Sequence, residues 1–156
     1  MTRKFNSEKG ESVEVKETRK RPAPIVTDDS AVFWNAAQEG LLVAQQCREC
    51  GVMRHPPRPM CPRCRSLEID VVTLAGRGTV YSYAILHYPQ NPAFDYPVLA
   101  ALVDLDEGIR MVSNLIDVAP QDIHVGMRVE VSFVPTIDNG AVPVFRPSGE
   151  NAKEMR

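Results

Sequence analysis

The sequence predicts a mainly β fold in which one short N-terminal helix and a small cysteine-bearing ribbon precede a β-barrel. Three observations predict it. From residue 69 onward, apolar side chains recur at period two in short runs divided by turn residues. Four cysteines fall within the 18 residues from Cys47 to Cys64. Thirteen prolines and nine glycines accompany only 6% aromatic residues, a balance that favours many short elements over a helical bundle.

The 156 residues fit one domain, or one small domain with an added module. With 44% hydrophobic residues, wholesale disorder and collagen-like or low-complexity classes are excluded. The longest aliphatic run, Val98 to Val103, is far short of the roughly 20 residues that span a bilayer. The start, Thr2-Arg3-Lys4, lacks the apolar stretch of a secretory signal. The expectation is a cytoplasmic protein with no membrane segment. Charge is unevenly placed: residues 1–24 carry +3, residues 47–65 carry +4 and the rest −9, for a net −2. A nucleic-acid binder usually has a basic body, so the acidic one argues against that class.

In chain order, residues 1–26 read as a flexible basic tail. Within residues 1–24 only Met1, Phe5, Val13 and Val15 are large and apolar, too little burial to offset ordering entropy. Thr27-Asp28-Asp29-Ser30 offers helix N-caps, with acids placed to meet the dipole. Ala31 to Glu39 contains neither Pro nor Gly, and Gly40 supplies the stop. Phe33, Trp34, Ala37 and Leu41 fall near one face. One reading packs Trp34 on its own domain. In the segment 27–46, Phe33 and Trp34 could instead anchor a partner, since Trp is enriched at interface hot spots, the role that the resemblance described below implies for this helix.

Residues 47–68 form the ribbon and 69–147 the barrel, followed by a C-terminal tail, 148–156. Gly76-Arg77-Gly78, Asp106-Glu107-Gly108 and Asp138-Asn139-Gly140 separate the apolar runs, the last as a strong hairpin signal. Pro120 to His124 fits one helical turn. Five to six short strands with one small helical insertion suggest a Greek-key barrel of the OB type.

Cys47-x2-Cys50 and Cys61-x2-Cys64 are two knuckles separated by ten residues. Two-residue spacing lets both thiolates of a knuckle face one point, and two knuckles complete a four-sulfur cage. Disulfides are disfavoured in a cytoplasmic protein, and a thioredoxin-like pair needs a βαβ unit not seen here. Structural zinc is the reading, one ion per chain, with rubredoxin-type iron open as the alternative. All four ligands come from the protein, so no coordination position is left for chemistry.

No cysteine remains as a nucleophile. Ser82, His87 and Asp95 could be drawn as a triad, but no nucleophile-elbow motif frames them. Gly76-Arg77-Gly78 is a turn and not a phosphate loop, and Asp104, Asp106 and Glu107 sit around a hairpin. Catalytic residues are therefore assigned to none.

Phe33-Trp34, Cys47 to Gly51, His55-Pro56-Pro57-Arg58, Cys61-Pro62-x-Cys64, Gly76-x-Gly78-Thr79-Val80-Tyr81-Ser82 and Val125-Gly126-x-x-Val129 occur in that order. Over residues 30–147 this closely resembles the acyl-CoA-associated family that joins a rubredoxin-like zinc ribbon to an OB-fold. The resemblance implies a companion subunit of a thiolase-fold enzyme, in a hetero-oligomer that makes or breaks a carbon–carbon bond beside a coenzyme A thioester. Cleavage, thiolytic or retro-aldol, in degradation of an aromatic or steroid-type compound is the favoured direction. A biosynthetic acyltransferase or condensing complex and a nucleic-acid-binding module are the rivals.

The resemblance also implies an acyl-CoA shared with the partner. Arg54, Arg58, Arg63 and Arg65 could meet its phosphates or an acidic rim of the partner, since the guanidinium fork suits phosphate. The plain alternative is that they balance the zinc–thiolate charge or sit in solvent. The loop Tyr88 to Pro97, with three prolines and three aromatics, offers Phe94 and Tyr96 for partner docking or a pocket wall. Its plain alternative is a cap on the barrel end.

Overall fold

The computed structural model describes residues 21–149. The tail expected over 1–26 falls largely outside them, as do residues 150–156 of the expected C-terminal tail. Where the chain enters view it is already pinned. Arg21 donates its N–H to the Pro135 carbonyl at 3.2 Å and accepts from Ile137 N–H at 2.9 Å. Its guanidinium reaches Asn114 Oδ1 at 2.8 Å and lies over the Phe94 ring. The tail reading is corrected at this residue, which two hydrogen-bonding surfaces hold.

Helix α1 spans Ala31–Gln38, close to the predicted Ala31–Glu39, and ends at Gly40 with φ +75°. Ser30 is the N-cap residue, but its hydroxyl turns back to the Thr27 N–H at 2.9 Å instead of capping the helix. No acid lies in the first turn, so the expected dipole pairing does not form. Phe33 and Ala37 are buried, whereas Leu41 is exposed because the left-handed Gly40 swings it off the helical face.

The strands are β1 (Val43–Cys47), β2 (Met53–Arg54), β3 (Ile69–Thr73), β4 (Arg77–Leu86), β5 (Val98–Leu105), β6 (Arg110–Asn114), β7 (Arg128–Pro135) and β8 (Ala141–Pro147). Two sheets result. The ribbon sheet has order β2-β1-β3, and the second has order β6-β5-β4-β7-β8, antiparallel throughout. Residues 43–46 belong to a strand and not to the helix-bearing segment 27–46. β3, expected in the barrel, pairs along its full length with β1, from Val43↔Thr73 to Cys47↔Ile69. The ribbon sheet therefore draws on both flanks of the predicted 47–68 stretch.

The five-stranded sheet curls toward closure where Leu115 of the segment after β6 bridges Phe145 of β8. A bulge at Tyr81 shifts the β4–β5 register between Val80 and Ser82, which lets the long β4 bend between two neighbours. Gly76 makes the turn into β4 with φ +70°. Gly78, expected in the same turn, lies within the strand. A Cβ there would sit 2.3 Å from the Asp104 carbonyl oxygen, so only glycine admits this approach. The helical turn expected at Pro120 to His124 is a 3₁₀ turn, Pro120–Asp122. Asp138-Asn139-Gly140 closes the β7–β8 hairpin as predicted.

One apolar cluster joins Phe33 of α1, Leu42, Val43 and Ala44 at the ribbon, and Val80, Val103, Met111, Val129 and Phe145 of the barrel. Among the described residues no helix is long and apolar enough to cross a membrane.

Candidate functional site

The four predicted cysteines converge. Their Sγ atoms all lie within 4.8 Å of one another, with Cys47–Cys64 at 3.5 Å and Cys50–Cys61 at 3.6 Å. Four sulfurs at about 2.3 Å from a tetrahedral zinc would stand about 3.8 Å apart, so the donor set fits that ion. Both knuckles aim backbone N–H groups at sulfur. Those of Cys50 and Glu49 draw the Cys47 thiol down, and those of Cys64 and Arg63 draw Cys61 down to about 6. The Ser66 N–H acts the same way on Cys64, but the surrounding sulfurs of Cys47, Cys50 and Cys61 together with burial push that thiol up to about 12. Four crowded thiolates need a cation among them. Disulfides are absent, since all four cysteines are free.

Strand β1 places Cys47, and its Gln45 builds the rest of the ribbon's interior. Gln45 Oε1 accepts from Arg54 Nε at 2.7 Å and from the Arg58 N–H at 3.0 Å, while Arg54 Nη2 donates to the Arg58 carbonyl at 3.1 Å. Arg54 is only 6% exposed. Its proposed phosphate contact is therefore corrected: burial and these bonds commit the guanidinium to holding the 55–58 segment. Arg58, Arg63 and Arg65 are exposed, and among the described residues none has a salt-bridge partner. Arg48 instead pairs with Asp70 at 2.7 Å. Gln45 escaped the sequence reading because a polar residue in a short strand carries no mark of its burial.

Phe33 is 4% exposed, its ring 4.9 Å from Trp34 in an edge-to-face pair and 4.9 Å from His55. As a docking anchor it is corrected to a core residue, because its helix turns that face inward. Trp34 is half-buried. With Arg21, His55, Pro57, Phe94, Val112 and Pro143 it lines a cleft of about 380 Å³ between helix, ribbon and barrel. His55 has its Nδ1 buried without a hydrogen-bond partner, and burial pushes its pKa below the ordinary histidine value. Burial likewise lowers Arg21, against the pull of Asp95.

Phe94 and Tyr96 are half-buried in the loop before β5. The Tyr96 hydroxyl donates to the Pro89 carbonyl at 2.8 Å and accepts from the Asn91 N–H at 2.9 Å, so that ring braces its own loop. Phe94 faces the cleft. His87 is exposed and hydrogen-bonded to neither Ser82 nor Asp95, so the three do not assemble.

Comparison with known proteins adds the following. Residues 34–70 match the family model for the ChsH2 rubredoxin-like zinc ribbon domain, and residues 71–134 that for the ChsH2 C-terminal OB-fold domain. A probable enoyl-CoA hydratase alpha subunit of Thermomonospora curvata is 43% identical over 93% of this chain and 46% of its own length. The 3-oxo-4,17-pregnadiene-20-carboxyl-CoA hydratase alpha subunit of Mycobacterium tuberculosis is 35% identical over 71% and 35%. The chain thus spans less than half the length of these two relatives. The benzoylsuccinyl-CoA thiolase subunit BbsA of Geobacter metallireducens is 30% identical over 67% of this chain and 72% of its own. A chain of the solved Ltp2-ChsH2(DUF35) aldolase superposes with a TM-score of 0.77 at 44% identity, covering 80% of this chain and 98% of that one.

Proposed function

The chain belongs to the DUF35 family in its ChsH2-type form, a rubredoxin-like zinc ribbon followed by an OB-fold, and from that premise we propose that it is a non-catalytic subunit of a thiolase- or aldolase-type complex acting on acyl-CoA thioesters. The reaction is carbon–carbon bond cleavage, thiolytic or retro-aldol, in degradation of an aromatic or steroid-type compound. The observation that carries this reading is the match to nearly the whole of one chain of an aldolase named for two components. The thiolase subunit among the relatives supports it further.

Within the complex, Cys47, Cys50, Cys61 and Cys64 hold one structural zinc, which staples the two knuckles. The reacting groups belong to the thiolase-like partner. Arg58, Arg63 and Arg65, exposed and without salt bridges among the described residues, face the coenzyme A phosphates or an acidic rim of the partner. The test is co-purification of the tagged full chain from its native cells, with companions identified by mass spectrometry. A near-stoichiometric thiolase-like subunit is expected, and the pair, not the chain alone, should cleave an acyl-CoA. Recovery of the chain alone, or with nucleic acid, overturns the reading.

A further inference from the structure

Across β4, β5 and β6 one corner of the barrel sheet's outer face is mainly apolar, broken only by Ser82 and Asn114. Cross-strand pairing puts Ala84, Ala100 and Asn114 in one row, and Ser82, Leu102 and Val112 in the next; Leu86 and Val98 form a third. Side chains paired in this way point to one side of a sheet. The opposite side holds Leu99, Ala101, Val103 and Met111, all buried in the core. β5 is thus apolar on both faces as far as Leu102, although burial alternates strictly along it. A strand with one wet face normally alternates apolar with polar, and one apolar on both faces is covered on both. Val112 is 73% exposed and Leu86 39%.

Charge at the margin is internally satisfied. Arg110 grips Asp104 with two hydrogen bonds, at 2.6 and 3.0 Å, and lies over the Tyr81 ring. A partner for this face therefore needs no compensating charge.

Shape chooses the occupant. Three strands about 4.8 Å apart and four residues of about 3.4 Å rise give a face of roughly 200 Å². That is about a quarter of the 800 Å² or so per partner that a standard interface buries. The missing area lies around the corner: Val112 and Asn114 also line the cleft with Trp34, Pro57 and Phe94, so face and cleft form one surface. Two copies stacked face to face would leave the concave part empty. A different chain with an apolar patch and a protruding apolar segment fills both.

We propose that the sheet face of Ala84, Leu86, Val98, Ala100, Leu102 and Val112, continued into the cleft at Trp34, is the docking surface for the thiolase-like subunit. The surface rests on the function proposed above. Contact there is apolar and insensitive to salt.

The test titrates the thiolase-like subunit recovered in the co-purification with three forms of the zinc-loaded full chain: wild type, Val112→Arg and Val125→Arg. Val125 is 64% exposed and outside the patch, so its variant controls for added charge. Val112→Arg should weaken binding by at least 100-fold, with an unchanged melting temperature. Val125→Arg should bind as wild type does. Wild-type affinity in Val112→Arg overturns the surface while leaving the companion role intact. A wild-type chain that forms dimers by light scattering, dissociated by Val112→Arg, makes the face a contact between copies and overturns the proposal. Failure of the wild type to bind any thiolase-like subunit overturns both.

Discussion

Arg54 Nε donates to Gln45 Oε1 at 2.7 Å, and both side chains are buried inside the ribbon. The same oxygen takes the Arg58 N–H, so one amide fixes both the guanidinium and the loop beside it. Gln45→Leu strips a buried charged donor of its acceptor and should cost about 2–3 kcal/mol of stability. Gln45→Glu, which keeps an acceptor of similar shape, should recover most of that loss. Chemical denaturation of the zinc-loaded chain measures both, and a neutral Gln45→Leu would show the pair to be dispensable.

Phe33 and Trp34 are neighbours in sequence with opposite duties. Truncating the buried Phe33 to Ala opens a cavity and should cost about 3–5 kcal/mol, with the change in Trp34 fluorescence reporting lost edge-to-face packing. Trp34→Ala, half-buried at the cleft, should cost less than half as much stability and instead weaken partner binding. If the two variants lose stability equally, Trp34 is a core residue too.

His55 gives the ribbon a dependence on pH. Burial depresses its folded pKa below the ordinary value of 6.5. The unfolded chain therefore binds the proton first, and stability is full above about pH 6.5 and falls as the pH drops toward the folded pKa. The slope contributed by this one group is at most about 1.4 kcal/mol per pH unit. His55→Gln should remove it. The check is the wild-type-minus-variant difference in unfolding free energy between pH 7.5 and 5.5; a flat difference refutes the assignment.

Metal removal should be severe. Mass spectrometry of the native chain should find one zinc, and Cys61→Ser should retain less than a tenth of it. Because metal-binding energy at a four-thiolate site is also folding energy, chelation should lower the melting temperature by more than about 10 °C. A coloured protein with one iron per chain would reassign the ion without changing its structural duty.

Motifs with an intrinsic geometry were legible before any coordinates. The two knuckles, the Asp138-Asn139-Gly140 hairpin and the Ala31 helix with its Gly40 stop all carry local chemistry that permits few conformations. What escaped depends on distant partners. Nothing near Ile69 says that β3 will pair with Val43 instead of joining the barrel. Arg54 looked like its exposed neighbours because burial of an arginine is decided by a glutamine nine residues away. Ser30 appeared to be a cap, yet Thr27 competes for its hydroxyl. The outer face of β5 was written in the run Val98 to Val103, but a continuous apolar run does not say which side lacks a cover.

The cluster that links Leu42, Val43 and Ala44 to Val103 and Phe145 also bears on modularity. The two family models meet between residues 70 and 71, in the middle of a strand whose last pair is Val43↔Thr73. Ribbon and barrel match separate family models yet share one apolar cluster. A shuffling experiment that joins a ribbon from one relative to a barrel from another at that boundary would cut through the β1–β3 pairing and the shared cluster, and should lose stability.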